Sequence, residues 1–141
     1  MNFINPGAKE ICQMLHSIHT VAVVGLSPNT ARPSFRVASA LQSHGYHIVP
    51  VRPLVQEVLD EPAYPDLESV PCKVDIVDVF RASQHVPAIV ASCIKLGITR
   101  IWLQEGVIHE EAAQQAQAAG MMVVMNRCMW RDFSQLCGTS K

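Results

Sequence analysis

Short apolar runs alternate with amphipathic helical segments along the whole sequence, and this alternation constrains the fold more than any other feature. The apolar runs predict five strands, at residues 21–24, 46–51, 74–80, 100–103 and 121–125. The segments between them predict helices at 8–18, 33–44, 83–97 and 109–119, with a short one after the last strand. Strands that alternate with helices form right-handed crossover units, so the pattern predicts a parallel sheet covered by helices on both faces.

The composition agrees with such a sheet. Hydrophobic residues make up 49% of the chain and charged residues 16%, and strands buried on both faces are continuous apolar runs. We predict one domain, residues 1–141, of α/β class, with a Rossmann-like, doubly wound, five-stranded parallel sheet in three α/β/α layers. The expected strand order is 3-2-1-4-5, with a crevice at the carboxyl edge beside the first and fourth strands.

Charge and cysteine content narrow the function classes. A formal net charge of -1 gives no electrostatic basis for binding nucleic acid or an anionic membrane. The sequence shows neither a secretory signal nor a run of about 20 apolar residues, so we expect a cytoplasmic protein. The odd number of cysteines and the absence of Cys-x-x-Cys predict reduced thiols. The cysteines are Cys12, Cys72, Cys93, Cys128 and Cys137.

The loop that follows the first strand, residues 25–34, is the predicted anion site. It passes Gly25 and enters a helix at Pro33, so free backbone amides and the positive end of the helix dipole converge there. Ser27 and Ser34 add neutral donors, and Arg32 adds a charge. The loop has neither the full Gly-x-Gly-x-x-Gly fingerprint nor a Walker-type ending. The alternative is an ordinary strand-to-helix loop with a surface arginine.

Arg52 lies at the end of the second strand, where an NAD-binding unit normally has an acid that binds the ribose hydroxyls. A guanidinium group there can pair with a ribose phosphate in two-point geometry. Arg52 therefore favours a nucleotide with a phosphorylated ribose, which fits coenzyme A (CoA) or NADP better than NAD.

Five segments in a fixed order carry a family resemblance. They are AVVGLSP at 22–28, RPSFRV at 32–37, VPVRP at 49–53, VDIVDVFR at 74–81 and WLQEG at 102–106. Together they resemble the stand-alone CoA-binding proteins, which are single-domain relatives of the N-terminal CoA-binding domain of the succinyl-CoA synthetase alpha subunit. The resemblance extends from about residue 20 to 136 and implies that the cofactor is CoA or an acyl-CoA.

The resemblance also implies the ligand-binding residues. The phosphates would lie against Gly25, Leu26, Ser27 and Ser34, with Arg32 beside them. The adenosine would be flanked by Val51, Arg52 and Pro53, and the ends of later strands would add Phe80, Arg81, Gln104, Glu105 and Gly106. The chain departs from the family at Arg52, where asparagine is frequent, and at Asn126, where aspartate is usual.

The sequence does not predict a catalytic residue or a metal site. Asp75 and Asp78 lie in an apolar strand; structural carboxylates are the favoured interpretation, with Asp78 the nearer to a ligand. Cys128 follows Arg127, a cation that could activate the thiol, although simple packing is the commoner role. His16 and His19 have no evident third ligand.

The sequence therefore predicts a non-catalytic CoA-binding or regulatory module. An NADP-dependent or acyl-CoA-modifying enzyme is one alternative. A subunit that needs a partner chain is another, and self-association into a homo-oligomer also stays open.

Overall fold

The computed structural model describes residues 3–137 and places five parallel strands in one sheet. The strands are β1 Thr20–Val24, β2 His47–Val51, β3 Ile76–Val79, β4 Arg100–Leu103 and β5 Met122–Met125. The α-helices of this part of the chain are α1 Ala8–Ser17, α2 Pro33–Ser43, α3 Val86–Leu96, α4 Glu110–Ala118 and α5 Met129–Leu136. The predicted α/β fold with a five-stranded parallel sheet is confirmed.

The predicted strand order is wrong in one respect. The observed order is β2-β1-β3-β4-β5, so β3 pairs with β1 and not with β2. The outer edge of β2 is occupied by the connection to β3: Tyr64 N–H donates to the Pro50 carbonyl at 3.0 Å, and Arg52 N–H donates to the Tyr64 carbonyl at 2.8 Å. This segment occupies the position beside β2 that the predicted order gives to β3. β3 therefore pairs with the other edge of β1.

The corrected strand order places the crevice beside β1 and β3, and not beside the first and fourth strands as predicted. In a sheet with this order the chain reverses its winding direction between β1 and β3, and ligands bind at the carboxyl edge beside that switch point. The loops that follow Val24 and Val79, two residues paired in register, therefore diverge to opposite faces around the crevice. Residues after β1 and after β3 meet there directly.

Each face of the sheet buries one apolar layer, because successive side chains of a strand point to opposite sides. One layer includes Ala22, Val77, Ile101, Val86 and Ala112, and packs the sheet against α3 and α4. The other layer includes Val21, Val23, Leu15, Leu41 and Phe133, and packs the sheet against α1, α2 and α5. The three-layer arrangement follows from these two cores.

Two local features differ from the sequence patterns. The segment after β2 forms a short antiparallel hairpin, Glu57–Val58 with Glu61–Pro62. The helix predicted from residue 83 begins at Val86, because Ser83–His85 forms a 3-10 turn. The Ser83 hydroxyl accepts the Ile108 N–H at 2.9 Å. None of the helices within residues 3–137 is long and apolar enough to cross a bilayer.

The structure differs from the expectation that all cysteines are reduced. Cys12 on α1 forms a disulfide with Cys137, which follows α5, and the two Cα atoms are 5.4 Å apart. The packing of α1 against α5 creates this pair from residues separated by 125 positions, a distance over which sequence spacing carries no signal. Cys72, Cys93 and Cys128 are free thiols.

Candidate functional site

A cavity of about 680 Å³ opens at the carboxyl edge of the sheet, beside the switch point. Of the residues proposed from the sequence, it is lined by Gly25, Ser27, Arg32, Ser34, Arg52, Phe80, Arg81, Gln104, Glu105 and Gly106. The sequence did not single out Pro33, Val37, Ala82 and Val107 as binding residues, and they also form the wall. These ten of the thirteen predicted residues therefore come together in space, and their contacts with a ligand stay a prediction.

Three predicted residues lie outside this cavity. Val51 and Pro53 border a neighbouring cavity of about 160 Å³, whose wall also includes Val24, Leu67 and Ile89. Arg81 lines both cavities, so the two spaces adjoin at this residue. Leu26 is completely buried in the core and lines neither cavity.

Gly25 allows the loop after β1 to pass close to the end of β3. Its φ of +88° lies in the region that favours glycine, and a Cβ atom at this position would be 2.6 Å from the Phe80 carbonyl oxygen. The Gly25 N–H donates to the Val51 carbonyl at 2.8 Å. A glycine is therefore required where the ends of β1, β2 and β3 meet.

The side chains of the loop fix its shape through short-range hydrogen bonds. Ser34 Oγ accepts the Ser27 N–H at 3.0 Å, and Ser27 Oγ accepts the Asn29 N–H at 3.1 Å. Each serine hydroxyl that accepts a bond still has its own hydrogen to donate. Arg32 precedes α2 without capping it through its side chain, and the first amides of a helix have no intrahelical partner. The loop can therefore offer several N–H and O–H donors to an anion.

Three arginines give the cavity a positive wall. Arg52 Nη1 donates to the Gly25 carbonyl at 3.3 Å, and Arg81 Nη2 lies 3.2 Å from His85 Nε2. Arg32 is exposed at the rim. Within residues 3–137, none of these guanidinium groups forms an ion pair with a carboxylate. Their unused donors suit phosphate oxygens, which arginine binds in two-point geometry.

The acids at the site are neutralised or buried. Glu105 is paired with Arg131 at 2.7 Å. Asp78 lies completely buried below the cavity, and its Oδ1 accepts a 2.6 Å hydrogen bond from Nε2 of Gln104, a wall residue. Asp78 Oδ2 has no hydrogen-bond partner within the described chain. Burial raises the pKa of Asp78 to about 7, a rise that the Gln104 hydrogen bond partly opposes.

Asp75, three positions earlier, has the structural role expected of an acid in this strand. Its Oδ2 accepts the N–H groups of His19 and Thr20, both at 2.9 Å. These bonds attach the start of β3 to the start of β1, at the sheet edge opposite the cavity. Asp75 therefore stabilises the strand pairing and takes no part in the site.

Cys128 borders the cavity at the start of α5. Its Sγ lies 3.5 Å from the Arg131 N–H, and the thiol is half-buried and free. The adjacent Arg127 binds Asp132 through two hydrogen bonds, at 2.6 and 2.9 Å. The cation that the sequence suggested as a thiol activator is therefore engaged by a carboxylate.

The fold and the site together define a class: a Rossmann-like α/β domain with an arginine-lined crevice at its switch point. The CoA binding domain family matches residues 19–133 of the chain. The uncharacterized protein YneT of Bacillus subtilis strain 168 is 36% identical over 125 residues, which cover 89% of this chain and 93% of YneT. A hypothetical protein from Pyrococcus horikoshii OT3 has the same fold, with a TM-score of 0.90 at 33% identity, over 98% of this chain and 100% of that one. The chain belongs to the CoA-binding domain family, as its ordered motifs predicted.

A longer relative is an enzyme. The ADP-forming acetate–CoA ligase II of Archaeoglobus fulgidus is 28% identical over 100 residues, which are 70% of this chain and 15% of the ligase. The chain is thus homologous to the N-terminal CoA-binding part of ADP-forming acetyl-CoA synthetases, and the predicted relationship to the synthetase domain is confirmed. The region that matches this chain is a small part of the ligase's length.

Proposed function

We propose that the protein binds coenzyme A or an acyl-CoA as a non-catalytic, regulatory module. The observation that carries the proposal is the group of three arginines around a switch-point cavity, none of which has a carboxylate partner among residues 3–137, in a member of the CoA-binding domain family. CoA carries a pyrophosphate and a ribose phosphate, so its anionic groups match a wall with several separate guanidinium groups.

In this proposal the pyrophosphate lies on the loop at 25–34, against the backbone amides, the serine hydroxyls and Arg32. Arg52 binds the ribose 3′-phosphate through the donors that its bond to Gly25 leaves free. The smaller cavity accepts the adenine, because Val51, Pro53 and Leu67 give it an apolar wall. The pantetheine arm extends along residues 104–107.

The enzymatic alternative has less support from the same residues. Glu105 is held in an ion pair, and Asp78 is enclosed below the wall, so neither acid is placed for proton transfer to a ligand. An NADP-dependent reductase would also need a substrate site beside the nicotinamide. The third candidate, a subunit that works with a partner chain or a second copy, is favoured by the homologous part of the much longer ligase.

We place the proposed function in the cytoplasm. The exposed thiol of Cys72 and the cavity thiol of Cys128 are free, and thiols persist in compartments kept reduced by glutathione and thioredoxin. In such a compartment the pair formed by Cys12 and Cys137 is subject to reduction.

Isothermal titration with CoA, dephospho-CoA, NADP and NAD tests the proposal. We expect wild type to bind CoA best, with loss of the 3′-phosphate weakening binding by roughly 1–3 kcal/mol, the scale of a charged hydrogen bond. Arg52→Ala should remove most of that difference. Arg36→Ala, an exposed arginine on α2 outside the cavity wall, is the matched control and should keep it.

Two results would count against the proposal at different levels. Equal binding of CoA and dephospho-CoA by wild type would exclude the role of Arg52 and leave CoA binding intact. The absence of CoA and acetyl-CoA binding at millimolar ligand would exclude the function itself.

A further inference from the structure

A convergent group of metal-binding side chains lies where α1 meets the end of α5, away from the cavity. Cys12 and His16 are four residues apart on α1, so they lie on one face of the helix, one turn apart. Cys137 reaches the same place from the end of α5. The two Sγ atoms and an imidazole nitrogen of His16 all lie within 4.8 Å of one another.

His16 is free to act as a ligand. The residue is exposed, and its ring contacts Phe133 edge-on, with ring centroids 5.9 Å apart. No hydrogen bond or ion pair engages its ring nitrogens anywhere in residues 3–137. The sequence pairs His16 only with His19, whereas the tertiary structure provides two sulfur atoms as its neighbours.

Two thiolates and one imidazole form a donor set typical of zinc. Zinc binds four ligands tetrahedrally, and three protein ligands leave the fourth position to water or another ligand. With Zn–S bonds of about 2.3 Å, two thiolates on one tetrahedral ion lie about 3.8 Å apart. Sulfur atoms released from a disulfide can reach that separation by rotation of their side chains, with α1 and α5 in place.

We propose that Cys12, His16 and Cys137 form a binding site for a thiophilic divalent cation of the Zn²⁺ class, available only when the Cys12–Cys137 disulfide is reduced. A dithiol reductant transfers two electrons and two protons, the S–S bond breaks, two thiols form, and the dithiol closes to its own disulfide. The cation then displaces both thiol protons and binds the two thiolates and the imidazole. The oxidised protein has no thiolate at this place and binds no cation there.

The site is independent of the proposed CoA function, because none of its three ligands lines either cavity. The site nevertheless affects the position of α5. The bound cation holds the end of α5 to α1, and the first turn of the same helix carries Arg131, the partner of the cavity residue Glu105.

Zinc titration of the reduced protein tests the site. The protein is reduced with a phosphine, which does not compete for the metal as a dithiol does, and is titrated anaerobically with Zn²⁺ against a chromophoric chelator. We expect one tight site per chain, lost in Cys12→Ser and in the oxidised protein, and weakened by at least about tenfold in His16→Ala. Cys72→Ser and His19→Ala alter exposed residues outside the group and should bind like wild type.

Thiol protection gives a second readout that does not depend on affinity. Bound Zn²⁺ should slow the alkylation of Cys12 and Cys137, measured by peptide mass spectrometry, and leave that of Cys72 unchanged. The proposal is overturned if reduced wild type binds Zn²⁺ no more tightly than Cys12→Ser, if His16→Ala binds like wild type, or if Zn²⁺ protects other cysteines instead.

Discussion

Gly25 shows how a single residue can determine the shape of the crevice. It combines a φ of +88° with a 2.6 Å approach of its missing Cβ to the Phe80 carbonyl. Gly97, which ends α3, has a similar φ of +74° and open space around the Cβ position. The two glycines therefore separate the energetic effect of backbone conformation from that of steric contact.

We expect Gly25→Ala to lower the free energy of unfolding by about 3 kcal/mol, because backbone strain and a clash with backbone atoms add. Gly97→Ala should cost about 1 kcal/mol, the strain alone. Urea unfolding of both variants measures the difference. Equal losses would mean that the close approach to Phe80 relaxes without cost.

Asp78 makes stability depend on pH in a defined direction. Its pKa is about 7 in the folded protein, mainly because of burial, against an ordinary value of 3.8. Between about pH 4 and 7, the unfolded chain releases this proton and the folded chain keeps it, so stability falls as pH rises. A difference of this size corresponds to roughly 4 kcal/mol, and the loss is complete above the folded pKa.

Asp78→Asn should remove this fall in the free energy of unfolding, because the amide stays neutral. The stability of the variant relative to wild type should therefore increase as pH rises from 5 to 8. Asp75→Asn is the control on the same segment. Burial acts to raise the pKa of Asp75, but the N–H groups of Thr20 and His19 and nearby cations hold it below its usual value. This control should therefore keep the wild-type slope above pH 5. Urea unfolding at four pH values gives the slopes, and an unchanged slope in Asp78→Asn would contradict the assignment.

At the scale of elements, the start of α5 combines two ion pairs of very different character. Arg127 binds Asp132 through two hydrogen bonds, and the Asp132 side chain is only 5% exposed. Arg131 binds Glu105 with both side chains about half exposed, at 53% and 51%. A buried carboxylate that loses its cation is destabilising, whereas an exposed pair is screened by water and contributes little.

Arg127→Ala should therefore lower the free energy of unfolding by about 2 kcal/mol, since it leaves Asp132 buried without a cation. Arg131→Ala, four residues later, should leave it almost unchanged, because water screens the exposed pair. Denaturant unfolding at low salt compares the two variants. Similar losses in both would show that Asp132 finds another partner or is hydrated.

At the scale of the molecule, the disulfide joins two distant parts of the chain. Cys12 and Cys137 are 125 positions apart, so their bond closes nearly the whole chain into one loop. A cross-link over a long loop removes many conformations of the unfolded chain, which stabilises the folded state.

Reduction in the presence of a chelator should lower the free energy of unfolding by about 2–4 kcal/mol. Cys12→Ser should lose the same amount and become insensitive to the reductant. Cys72→Ser, which alters an exposed free thiol, should retain both the stability and the sensitivity of wild type. If the reductant still lowers the stability of Cys12→Ser, the loss of stability arises from other residues.

The elements and the residues of the crevice could be predicted from the sequence because both follow from local patterns. Apolar runs specify buried strands, and residues just after parallel strands collect at one edge of the sheet, as Gly25, Phe80 and Gln104 do. The strand order could not be predicted this way. It depends on the contact of Tyr64 with the edge of β2, and no local pattern states which edge a long connection will cover.

The sequence by itself determined the fold class, the family and the set of polar groups at the crevice, because each depends on periodicity or on motifs a few residues long. Only the tertiary structure decided the place of the switch point, the different surroundings of Asp75 and Asp78, and the meeting of Cys12, His16 and Cys137. These features arise where helices and strands from distant parts of the chain pack together. Packing depends on the shape and burial of whole surfaces, so the spacing of residues along one segment does not encode it.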